Sequence, residues 1–221
     1  MNRATILSLI TLIPLPALAQ PPATQPVSGK LAAPQQLFNG KDLSGWVWYS
    51  NPATKIEQTW SVKDGVLHCA GETEGMLHTE KELGPDYVLT FEFRHITEGG
   101  GAFLFGINGP DKLPPKAMQV LATFGNVGEL ANRGDFNWFV EMDRYRERDR
   151  MVRIGPNSEK PLGQWNVLEI YVDHSDLRIF LNGILQNSAS GMDDVTGKIG
   201  FLTGGAEMEF RTIQLTPIVK K

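Results

Sequence analysis

The 221-residue chain contains one cysteine, Cys69. A lone thiol excludes an intrachain disulfide framework and any multi-cysteine zinc site. The chain also lacks a basic excess: 21 Lys and Arg stand against 25 Asp and Glu, a net charge of −4. That balance argues against nucleic-acid binding through a positive surface. No apolar run reaches the roughly 20 residues of a spanning helix, and no window carries the long 3.6-residue period of an amphipathic helix. A Gly-rich phosphate loop, a serine nucleophile elbow and a His-Glu-x-x-His zinc motif are all missing, which disfavours nucleotide-dependent and zinc-protease chemistry.

What the chain does have is turn-forming residues and a core. It holds 23 Gly, 14 Pro and 41% hydrophobic residues, the composition of a strand-rich fold with many tight turns. Residues 1–19 open with Arg3, continue through an apolar stretch of about a dozen residues, and end in Ala17-Leu18-Ala19. This is the pattern of a cleaved signal peptide, so an exported protein, periplasmic or secreted, is expected, with no membrane span after cleavage. Residues 20–36 read as a Pro-rich linker, residues 37–217 as one folded domain, and 218–221 as a tail.

Within the domain the dominant period is two. Tyr87, Leu89, Phe91 and Phe93 alternate with Val88, Thr90, Glu92 and Arg94. Asn166, Leu168, Ile170 and Val172 alternate with Trp165, Glu169, Tyr171 and Asp173. Leu177, Ile179 and Leu181 lead to Asn182-Gly183, a hairpin turn in which both residues tolerate positive φ. The stretch 206–216 reads as a last strand with a bulge near Arg211, which directs Phe210, Ile213 and Leu215 inward. Shorter strands are expected at 46–49, 59–62, 65–69, 75–79, 101–107, 117–123, 135–141 and 197–203, with room for a helical turn or two at 126–133. This pattern predicts an all-β, two-sheet antiparallel sandwich, with a closed barrel as the alternative.

Several motifs occur in order: FNGKDLSGW (38–46), WSVKDGVL (60–67), LHTEK (77–81), FEFR (91–94), GQWN (163–166), LNG (181–183), KIGF (198–201) and EFRTIQL (209–215). The ordered set resembles the family of 3-keto-disaccharide hydrolases, over about 37–217. The resemblance implies a concanavalin A/laminin-G-like jelly roll acting on carbohydrate. It also implies proton abstraction beside a ketone, elimination and rehydration. Such chemistry needs a general base and a stabiliser for the enolate, either a cationic side chain or a divalent cation, the one cofactor the reaction suggests. A non-catalytic carbohydrate-binding module on the same scaffold is the competing expectation, and an interaction domain for a surface protein a third.

Glu92 and Arg94 share one face of the longest strand, as base and oxyanion stabiliser or as a charged pair on a solvated sheet. Gln119 stands where the resemblance implies a Glu-x-Gln-x-x-Asp pattern, but Ala117 and Ala122 occupy the two carboxylate positions. Glu141 and Asp143, in the acid- and arginine-rich stretch 141–153, are candidates to replace them; the alternative is a self-neutralising loop. Trp48 and Trp138 are candidate stacking platforms for sugar rings and Arg178 a candidate substrate contact, whereas Trp46 and Trp165 are expected in the core. His95 falls on the Phe-lined face, as a structural residue. The acid pairs Asp193-Asp194 and Asp173/Asp176 read as turn residues and Cys69 as an inert core thiol.

Overall fold

A computed structural model describes residues 26–134, 136–139, 145–147 and 150–220. The signal segment expected at 1–19 and the candidates Glu141 and Asp143 lie outside the described residues. The chain begins with strands β1 (Lys30–Leu31), β2 (Gln35–Gln36) and β3 (Trp46–Ser50), followed by a 3₁₀ turn at Ile56–Gln58. Strands β4 (Trp60–Lys63), β5 (Val66–Cys69), β6 (Gly75–Thr79), β7 (Tyr87–His95), β8 (Gly100–Ile107) and β9 (Met118–Leu121) come next. They are succeeded by β10 (Leu130–Asn132), β11 (Tyr145–Glu147), β12 (Arg150–Met151), β13 (Asn166–Asp173) and β14 (Asp176–Leu181). The last three are β15 (Ile184–Ala189), β16 (Lys198–Gly204) and β17 (Met208–Val219). Among the described residues no helix is long and apolar enough to cross a membrane.

These strands form two antiparallel sheets. One runs β15-β14-β13-β7-β17-β5-β4, with β1 and β2 also paired to β17, making nine strands. The other has eight, in the order β11-β12-β10-β9-β8-β16-β6-β3. Sequence neighbours repeatedly land in different sheets, as a jelly roll requires. The inward rows meet in one core, where Trp60, Phe91, Phe93, Phe103, Phe105, Phe201 and Phe210 are all buried. Asn182 and Gly183 have φ of 52° and 78°, the paired left-handed residues of a two-residue hairpin. The β17 bulge falls between Arg211 and Gln214, with Thr212 at φ 55°, and it turns Ile213 into the core.

Four local expectations change. Within 126–133 the residues Leu130–Asn132 form a strand rather than a helical turn, because Leu130 and Ala131 pair with both β9 and β12. The strand expected at 135–141 is represented among the described residues by one bridge, Phe139 to Ser190. The linker joins the sheet from Lys30, and β17 runs on to Val219. The cause is an apolar cluster on the outer face of the nine-stranded sheet, Val88, Tyr171, Phe180 and Ile218, which Val27 and Leu31 cover. Asp173 then binds both chain ends, accepting from the Ser28 amide at 2.7 Å and from Lys220 Nζ at 2.6 Å.

Candidate functional site

The outer face of the eight-stranded sheet carries chemistry that its neighbours do not neutralise completely. Strand pairing places His78, Gly200, Leu104, Gln119, Ala131 and Arg150 in one row across it. In-register residues share a face, so this row is one surface, with His78 and Gln119 three strands and roughly 14 Å apart. The β8–β9 loop, residues 108–117, folds back onto the face. Leu113 packs there against the cluster of Met76, Ala102, Leu104, Ile107 and Ala117.

That loop delivers Asp111. Its Oδ1 lies 3.1 Å from Nε2 of the fully buried His78 and 3.8 Å from Lys198 Nζ. The other ring nitrogen of His78 donates to the Thr79 carbonyl at 2.8 Å, which fixes the ring. The His78–Asp111 contact is close but not aligned as a hydrogen bond. Asp111 and Lys198 remain partly open to solvent, with side chains 31% and 25% exposed. Further along the row, Gln119 is largely buried, and its amide makes no hydrogen bond among those of the described residues. Beside it Arg150 Nε donates to Glu129 at 2.8 Å. Chemically this is a carboxylate with an adjacent ammonium, and an amide able to pair with hydroxyl groups. Among the described residues no three His, Cys, Asp or Glu side chains gather as a metal site; His78 and Asp111 are two.

Glu92 and Arg94 lie on the outer face of the other sheet. Glu92 accepts from Arg211 Nε at 2.8 Å, Arg211 Nη2 at 3.1 Å and Thr212 Oγ1 at 3.0 Å. Arg94 Nε donates to Glu209 at 2.6 Å, and its Nη1 reaches the Gly163 carbonyl at 3.2 Å. Both guanidinium groups stack on Trp165, 4.6 Å and 4.1 Å from the ring centroid. Trp165 is therefore an outer-face platform rather than the core residue expected, and Glu92 is saturated by three donors. This is the charged pair of a solvated sheet, not a free base beside a free cation.

The aromatic candidates also move. Trp48 packs against the core, edge to face with Trp60 at 6.5 Å, and donates to Thr54 Oγ1 at 3.2 Å. A Cβ on Gly75 would meet the Trp48 ring at 2.1 Å, so the ring lies flat on that strand. Trp138 is half-buried against the same core, and Trp46 is core as expected, stacked on Phe201. Arg178 donates to the Pro26 carbonyl at 2.7 Å and sits over Tyr171, which makes it an anchor for the N-terminal strap. Ala117 and Ala122 are fully buried, so neither position presents a polar group to a ligand.

Burial sets the protonation of two other groups. It pushes the Cys69 thiol up to about 12, so no reactive thiolate forms there at neutral pH. It also raises the Glu169 carboxyl, only partly offset by the Tyr171 hydroxyl, which donates at 3.0 Å. With the folded value raised, this group favours the fold below the ordinary carboxylate range, and the benefit is lost as pH rises through the folded value. Glu169→Gln, which keeps an acceptor for Tyr171 and cannot ionise, is expected to be more stable than the native chain at pH 7. Melting curves across pH should show the gap closing below about pH 4.

Asp111 carries no sequence signal, because it lies in a loop with no periodicity, far in sequence from His78 and Lys198. Those two do fall inside the motifs LHTEK and KIGF, the only available signal. Two antiparallel sheets in this order define a concanavalin A-like jelly roll. Residues 33–216 match the 3-keto-alpha-glucoside-1,2-lyase-like domain, and the chain belongs to that family. No curated protein matches it in sequence. A provisionally named glycosyl hydrolase from Parabacteroides distasonis superposes with a TM-score of 0.62 at 18% identity, covering 84% of this chain and 94% of its own. The carbohydrate-binding module CBM66 from Bacillus subtilis gives 0.53 at 14% identity, covering 76% and 93%. The metal-free Emp46p carbohydrate recognition domain gives 0.56 at 12%, covering 82% and 94%. At these identities the likeness is one of fold.

Proposed function

We propose that this protein is an exported enzyme of the glycoside hydrolase or lyase kind. It acts on glycosides of 3-keto sugars, across the outer face of the eight-stranded sheet. The observation carrying this reading is the half-open Asp111–Lys198 pair on the same face as Gln119. A ketone at C3 acidifies the hydrogen at C2, and a carboxylate beside a cation suits its removal. Membership of the 3-keto-alpha-glucoside-1,2-lyase-like family supports the substrate class. Export rests on the Arg3-led apolar segment that ends in Ala17-Leu18-Ala19.

A binding module is the second reading, favoured by the buried Ala117 and Ala122 and by the likeness to CBM66 and to the Emp46p recognition domain. Incubating the protein with 3-keto-trehalose or a 3-keto-glucoside, with and without chelator, separates the two. Glucose or aglycone release is expected, and its loss on chelation would assign the cation. Measurable glycan binding with no release in either arm would select the module.

A further inference from the structure

Asp111 differs from the other carboxylates that have a cationic partner on this face. Glu129 is almost closed by Arg150, with its side chain 8% exposed. Asp111 instead has one oxygen turned to a buried ring and one left over. Oδ1 faces His78 Nε2 and Lys198 Nζ, whereas Oδ2 has no protein hydrogen bond among the described residues. His78 cannot swing, because its ring is fully buried and its Nδ1 is tied to the Thr79 carbonyl. The carboxylate is thus backed by a fixed ring, flanked by an ammonium and open on one side.

We propose that Asp111 is the general base of this face and Lys198 the stabiliser of the developing enolate. His78 is the positioning residue that aims Asp111. The assignment rests on the 3-keto-glycoside reading. Asp111 Oδ2 takes the proton from C2, and the C–H electron pair passes into the enolate whose oxygen, at C3, faces Lys198. Collapse of the enolate forms C1=C2, restores the C3 ketone and breaks the C1–O bond. The departing oxygen takes a proton from water and Asp111 returns its own to solvent. Rehydration adds hydroxide to C1 and a proton to C2, so water is the only co-reactant. Leu113, on the same loop, covers the apolar floor beside the pair, so a substrate's ring meets Asp111 at the loop's edge.

Two assays on the full chain test this. One follows aglycone release from a 3-keto-glucoside; the other follows exchange of the C2 hydrogen of 3-keto-glucose in D₂O by proton NMR, which needs the base but no leaving group. Asp111→Asn is expected to lower both rates by about 10²–10⁴-fold with an unchanged melting temperature. Lys198→Met, on the exposed side, is expected to lower kcat about 10²-fold with a smaller change in KM. It stands in for the first variant if that one fails to fold. His78→Gln should lower kcat and the C2 exchange rate by the same factor with KM unchanged, a split that a purely structural role would not give. Native-like rates in both Asp111→Asn and Lys198→Met would overturn the assignment while leaving the 3-keto reading intact. Exchange without release in the native protein would support the base but reject the elimination. Neither exchange nor release would overturn both.

Discussion

Glu159→Ala is expected to destabilise the protein by about 3–5 kcal/mol, the cost of removing one partner of a buried acid–imidazole pair. Glu159 Oε1 lies 2.8 Å from His95 Nδ1, and both side chains are 1% exposed. His95 Nε2 donates to the Ala122 carbonyl at 2.9 Å, and Glu159 Oε2 accepts from the Gly125 amide at 2.6 Å. One carboxylate therefore ties the end of β7, the turn after β9 and the loop before β13 together. Alanine removes the acceptor of the half-buried Gly125 amide and leaves the buried His95 ring facing a cavity. Urea unfolding should show the midpoint fall at unchanged slope. The double variant His95→Leu/Glu159→Met removes the uncompensated ring and should recover part of the loss. A residue of about 1–3 kcal/mol should remain, because the Gly125 amide still lacks its partner. A single-variant cost below about 1 kcal/mol would mean that water reaches the pair and that it behaves as a surface contact.

The contrast between this pair and the outer-face clusters shows what alternation in a sequence reports. Period two correctly puts Phe91 and Phe93 inside and Glu92 and Arg94 outside. It also puts Gln119 outside its own sheet. A sandwich has two outer faces, however, and the period does not say which one a residue joins. Glu92 and Gln119 both point away from the core and stand on opposite sides of the molecule. One site therefore cannot include both. Trp165 shows a related limit: its place in a family motif suggests a core residue, yet two guanidinium groups cover it on the outer face.

Strand β6 shows a different failure. All five of its residues are buried, so GMLHT offers no polar alternation to mark His78 as outward-facing. On the outer face the β8–β9 loop helps to cover it, and where a loop folds is set by contacts such as Leu113 on the cluster around Met76 and Asp111 on His78. Such contacts join positions 78, 111 and 198 with no local signature. In the N-terminal strap composition misleads: four prolines between 20 and 36 suggest a linker, but two apolar residues, Val27 and Leu31, are enough to fill the patch left on the sheet. Strands, hairpin and bulge were legible because each depends on local backbone preference; the site was not, because it depends on tertiary placement.

The second large effect concerns the core, and it follows from the lone cysteine. With no disulfide to restrain the unfolded chain, stability depends on burial between the sheets. Phe91 is fully buried at the centre of β7, between β13 and β17. Its ring meets Phe103 at 4.8 Å and 79°, and Phe201 at 5.7 Å and 87°, both edge-to-face arrangements. Phe103 and Phe201 belong to the opposite sheet, so this ring is a direct link between the layers. Phe91→Ala should cost about 3–5 kcal/mol through lost transfer energy and the cavity left behind. Against a usual total of about 5–15 kcal/mol, that is enough to leave the domain partly unfolded at 37 °C. Phe91→Leu, which keeps most of the volume and loses only the ring geometry, should cost about 1 kcal/mol. Phe139→Ala, at a ring 75% exposed, should stay within about 0.5 kcal/mol of the native chain. If Phe91→Ala and Phe91→Leu unfold at the same denaturant concentration, cavity volume is not what the site resists, and the edge-to-face contacts across the sheets carry the stability instead.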